Sequence, residues 1–108
     1  MKSYFEKRDV VALFYRSYFL YTRIAFVKNK TEEQKAQINA YRTIIKILGQ
    51  CSNRSRVRND VLLNGLRHYV VESESIYVKA FVSVIDETIR FIYENVLIEK
   101  REHSLHRG

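Results

Sequence analysis

His103 and His106, three residues apart, would share one side of a helix, the arrangement a pair of metal ligands requires. A closed site needs four ligands, and the single cysteine, Cys51, and the scattered carboxylates do not complete the set. His68, between Arg67 and Tyr69, lies beside an apolar stripe, where a hydrogen-bonded boundary histidine is the expected role. Glu32, Glu33, Glu72 and Glu74 fall where helices are expected to begin, and there their charge favours the helix macrodipole. Asp60, Asp86 and Glu87 have basic neighbours, so surface pairing accounts for them. No Ser-His-Asp set, Cys-His pair or glycine-rich phosphate loop is legible. The reading is a protein that is not an enzyme and binds no metal or cofactor directly.

The remaining chemistry is that of association. Nineteen Lys and Arg against twelve Asp and Glu give a net charge of +7, which attracts a polyanion or an acidic protein. Arg54, Arg56 and Arg58, spaced by two in a Ser-containing loop, could reach phosphates, so a basic helical nucleic-acid-binding protein is one alternative. The same run also reads as a solvated loop or as a contact for an acidic protein. Aromatics and cations interleave through Tyr4, Phe5, Lys7, Arg8, Tyr15, Arg16, Tyr18 and Arg23, although rings at helical spacing serve a core more often than a base-stacking platform.

The elements that must position these groups are helical. At 108 residues the chain has the length of one domain, 1–108, and its 46% hydrophobic residues suffice for one modest core. Its apolar runs are far shorter than the ~20 residues of a membrane span. With no proline and only Gly49, Gly65 and Gly108, the turn punctuation of a β fold is missing. Val10, Leu13, Phe14, Leu20, Tyr21 and Ile24 recur at three- and four-residue steps and predict a first helix from about 9 to 27. Thr31-Glu32-Glu33-Gln34 reads as a capping box opening a second helix striped by Ile38, Tyr41, Ile45 and Leu48, with Gly49 placed for a left-handed stop.

Leu62, Leu66, Tyr69 and Val70 suggest a third helix over about 55–71, and Tyr77 to Val96 a fourth running to about Lys100. The charged tail 101–108 is expected to fray. The start of the chain has no apolar run of the secretory kind and is not of the cleavable transit type. Cys51 has no partner for an internal disulfide, which suits a reducing compartment.

Phe14-Tyr15-Arg16, followed by Phe19, Arg23 and Phe26, resembles the signature of the LYR-motif family, in which Leu-Tyr-Arg precedes an apolar residue, an Arg and a Phe. Thr22-Arg23-Ile24-Ala25-Phe26 looks most like the branch that chaperones the Rieske iron–sulfur protein of respiratory complex III. Arg42 with Ile45 falls where the family carries an Arg and a large apolar residue in its second helix. The likeness covers about residues 9–71. Phe14 stands in place of the family's Leu, and Leu20 stands where many members have an Arg.

The resemblance implies an all-α fold: an antiparallel three-helix LYR-type bundle, here with an additional C-terminal fourth helix over about 75–100. It implies an accessory subunit or assembly factor of a mitochondrial complex (respiratory, mitoribosomal or iron–sulfur), in the matrix or on the matrix face of the inner membrane. Its partner would be the mitochondrial acyl carrier protein, whose acyl-phosphopantetheine enters the bundle; RNA would be near if the complex were ribosomal. Carried over, Tyr15, Arg16, Arg23 and Arg42 would make polar contacts with the carrier, and Phe14, Phe19, Phe26 and Ile45 would line the bundle interior around the acyl chain. The fourth helix would offer a second docking surface. A purely structural helical subunit that does not bind the carrier is the other alternative.

Overall fold

The computed structural model describes residues 1–98; His103, His106, the tail and the last residues expected of the fourth helix lie outside them. Helix α1 (Lys7–Ala25) begins where the Glu6 amide donates to Asp9 Oδ2 at 2.9 Å, a carboxylate that also receives Lys2 Nζ at 2.8 Å. Chain reversal follows at Asn29, whose φ of 55° is the left-handed conformation that asparagine tolerates. Helix α2 (Glu32–Cys51) opens on the expected capping box: the Gln34 amide donates to Thr31 Oγ1 at 3.1 Å and the Thr31 amide to Gln34 Oε1 at 2.9 Å. The short α3 (Asn59–Arg67) and the long α4 (Ile76–Asn95), capped by Ser75, complete the helices.

A two-stranded ribbon ties the ends together. Strand β1 (Tyr4–Glu6) pairs antiparallel with β2 (Arg56–Arg58) in the register Tyr4–Arg58, Phe5–Val57, Glu6–Arg56. Alternation turns Phe5 and Val57 into the core and the other four side chains outward. The ribbon places the start of α1 beside the end of α2, so the two helices run antiparallel; the Lys7 amide also donates to the Ser55 carbonyl at 3.1 Å. Asn39, in the first half of α2, is hydrogen-bonded to Tyr77 at the start of α4, while the Lys2 amide donates to the Leu97 carbonyl beyond its end. Thus α4 runs parallel to α2 and antiparallel to α1. With α3 returning between them, directions alternate along the chain, and α2, packed on α1, α3 and α4, is central.

The core joins Phe5, Val10 and Leu13 with Ile44, Leu48, Val57, Leu62, Leu66, Ile85, Ile92 and Leu97. Burying side chains of this size contributes roughly 1.5–3 kcal/mol each before the entropy of ordering is set against it. Two expectations need correction. Gly49 does not end α2: no glycine among the described residues has positive φ, and the helix continues to Cys51. The third helix does not start at Ser55, because 56–58 is the ribbon's second strand, and it stops at Arg67, which leaves Tyr69 and Val70 exposed beyond its end. Of the two arrangements open for the fourth helix, a member of an up-and-down bundle or a separate docking helix, α4 takes the first, with Val84, Ile85 and Ile92 buried in the common core. The strands themselves were not anticipated.

Candidate partner-docking surfaces

Where α1 meets α4, Arg16 Nη2 donates to Glu87 Oε2 at 2.6 Å, and its guanidinium carbon lies 3.8 Å from the centroid of the Phe91 ring. The other terminal nitrogen, Nη1, is buried without a hydrogen-bond partner. Arg16 therefore faces inward across the bundle and is already engaged. It also separates two hollows of the α1–α4 furrow: one of about 260 Å³ with Leu20, Tyr41 and Val84, and one of about 290 Å³ with Leu13, Phe91 and Val96. Tyr41 stands in this neighbourhood. Burial, and secondarily the Glu87 carboxylate, push its hydroxyl above the ordinary tyrosine range, while Arg16 and Arg23 pull the other way.

The other residues carried over from the resemblance do not gather around Arg16. Tyr15 points to solvent; Arg23, seven residues on from Arg16 and so on the same flank of α1, is exposed with its guanidinium 6.0 Å from the Phe19 ring. Arg42 approaches α1 from α2 at another point, reaching the Tyr21 hydroxyl at 3.5 Å and lying 5.7 Å from its ring. The expected acyl lining divides as well. Phe14 and Ile45 are half-buried, but Phe19 and Phe26 are 61% and 83% exposed and line no interior. The correction has a simple cause: Phe19 and Phe26 share a helical line with Arg8 and Tyr15, opposite Leu13, Ser17 and Ile24.

Two surfaces emerge. On the solvent side of α2, Lys35, Arg42 and Lys46 stand at steps of seven and four, a single cationic ridge. Lys35 is paired with Glu32 at 3.2 Å, while Arg42 and Lys46 form no ion pair among the described residues. The sequence reading singled out Arg42 but missed its two companions, which the seven- and four-residue spacing could have found. The second surface is the outer face of α1, with Tyr15, Tyr18, Phe19 and Phe26 exposed.

The arginine run belongs to the ribbon and the turn before it. Arg56 lies over the Tyr4 ring at 4.2 Å, Arg58 is paired with Asp60 at 3.1 Å, and Arg54 is exposed. Cys51 is buried, which raises its thiol pKa; Arg54 opposes this weakly, and the thiol stays protonated at neutral pH. A more polar cleft of about 630 Å³ between the α3–α4 connection and α4 is lined by Glu72, Glu74, Asp86 and Glu87 with Lys79 and Arg90. No group of three or more His, Cys, Asp or Glu among the described residues could hold a metal ion, and no helix among them is long and apolar enough to cross a membrane. No family profile, curated protein or solved structure matches the chain.

Proposed function

We propose that the chain is a non-enzymatic accessory subunit or assembly factor of the LYR type, which docks the mitochondrial acyl carrier protein within a larger mitochondrial complex. The observation that carries this reading is the α2 ridge of Lys35, Arg42 and Lys46, with Arg42 braced against Tyr21. Three cations along one face of a helix suit the acidic surface of such a carrier, and an arginine held by an aromatic neighbour loses little freedom on pairing with a carboxylate. Tyr21 and Arg42 join the two helices on which the resemblance rests. Arg16, by contrast, serves the fold in this arrangement, through Glu87 and Phe91.

The reading is tested by coexpressing the full chain with the carrier and recording native mass spectra. The expected species is a one-to-one complex bearing acyl-phosphopantetheine, lost in Arg42→Glu/Lys46→Glu while the thermal midpoint is kept, since both side chains are exposed. A complex that survives this double reversal of charge sinks the ridge as the docking surface. No complex with the unaltered chain sinks the function.

A further inference from the structure

The exposed residues of α1 are Lys7, Arg8, Ala12, Tyr15, Tyr18, Phe19 and Arg23, and Phe26 stands exposed at its end. There is no carboxylate, carboxamide or serine among them. Arg8, Ala12, Tyr15, Phe19 and Phe26 follow steps of three, four and seven, so they form one line, and Tyr15 to Phe26 alone covers about 16 Å of helix. A soluble helix ordinarily presents polar groups on this side and apolar ones to the core. Here the core side is satisfied by Val10, Leu13 and Ile24, and the solvent side carries a second, aromatic stripe.

We propose that this outer face of α1 lies on an anionic phospholipid surface, with the helix axis in the membrane plane. The charges select the occupant. Lys7 and Arg8 stand at one end of the stripe and Arg23 and Lys28 toward the other, and none of the four forms an ion pair among the described residues. Cations at the ends would sit among phosphate headgroups while the rings reach the headgroup–acyl boundary; the long basic side chains can extend to the polar level from a submerged backbone.

The stripe is a convex ridge, the shape a soft lipid surface receives without a matching groove. Between its terminal cations it has little with which to fix a protein's register: the Thr22 hydroxyl is turned back to the Phe19 carbonyl at 2.7 Å, leaving the tyrosine hydroxyls as the uncharged polar groups on this face. Of the carboxylates that a headgroup would repel, Glu72, Glu74, Asp86 and Glu87 line one cleft on α4 and the connection before it, while Glu6 and Asp9 stand at the start of α1, where Asp9 is paired with Lys2. Attachment would be peripheral, because no described helix is long and apolar enough to cross.

The chain has no tryptophan, so Phe26→Trp installs a single reporter at an exposed position. Its emission should shift to the blue with phosphatidylcholine vesicles containing phosphatidylglycerol and stay unshifted with phosphatidylcholine alone. In sedimentation with the mixed vesicles, Phe19→Ser/Phe26→Ser should lose at least about tenfold in partitioning. Both sites are exposed, and circular dichroism should show the helices retained. Arg42→Glu should leave partitioning intact, which separates this surface from the α2 ridge. Absence of binding to the mixed vesicles overturns the proposal, as does equal binding to neutral ones or binding indifferent to the two serines. So does loss of carrier capture in the serine variant with no vesicle binding, which would assign the stripe to a protein.

Discussion

Arg16 of α1 and Glu87 of α4 are joined at 2.6 Å across the bundle, and Phe91, one turn beyond Glu87, supplies the ring on which the guanidinium rests. The pair links two helices that otherwise meet mainly through α2. It also explains how a charged side chain can stay near a core: one nitrogen has its carboxylate and the flat face has its ring, while Nη1 keeps an unmet donor.

Glu87→Gln should therefore destabilise the protein by about 1 kcal/mol, read as a lower urea midpoint at unchanged slope. The size is modest because the two side chains are 22% and 47% exposed, so water screens the pair. Arg16→Met/Glu87→Gln should recover part of the loss, since a methionine can lie on Phe91 without leaving a cation unpaired. An unchanged midpoint in Glu87→Gln would mean that this contact does not help to hold α1 on α4.

Phe5, one of the rings that interleave with Lys and Arg at the start of the chain, is fully buried against Val57 on the facing strand. Phe5→Ala should cost roughly 3–5 kcal/mol, as large a loss as any single truncation in the helices. Tyr4→Ala, one residue away on the outward face, should stay within about 0.5 kcal/mol. Equal effects at the two positions in urea titrations would contradict the register of the ribbon.

The helices were legible because their signals are local. Thr31 and Gln34 set the start of α2 by their own hydrogen bonds, and stripes such as Ile38, Tyr41 and Leu48 record a buried face residue by residue. The ribbon was not, since a three-residue strand has too short an alternation to stand out and its partner is some fifty positions distant. Phe19 and Phe26 show a different limit. The resemblance implies that both line the interior, but α1 carries apolar residues on two faces, and only packing tells which one is the core. The role of Arg16 depends on Glu87, seventy-one residues away, a pairing that no local pattern encodes.

Tyr41 gives the same cluster a signature in pH. Its folded-state pKa is raised above the ordinary value of 10.0, first by burial and then by Glu87, against the opposing pull of Arg16 and Arg23. An unfolded chain releases this proton near its ordinary pKa, while the folded chain holds it longer. Stability from Tyr41 is therefore complete below about pH 10 and declines as pH rises toward and through the folded-state value. The test is a difference: urea midpoints of the unaltered chain and Tyr41→Phe, compared from neutral pH upward. The unaltered chain should lose stability more steeply above about pH 10, because phenylalanine has no proton to release in either state. Parallel profiles would show that Tyr41 ionises as easily folded as unfolded, and that the space between Arg16, Leu20 and Glu87 is open to water.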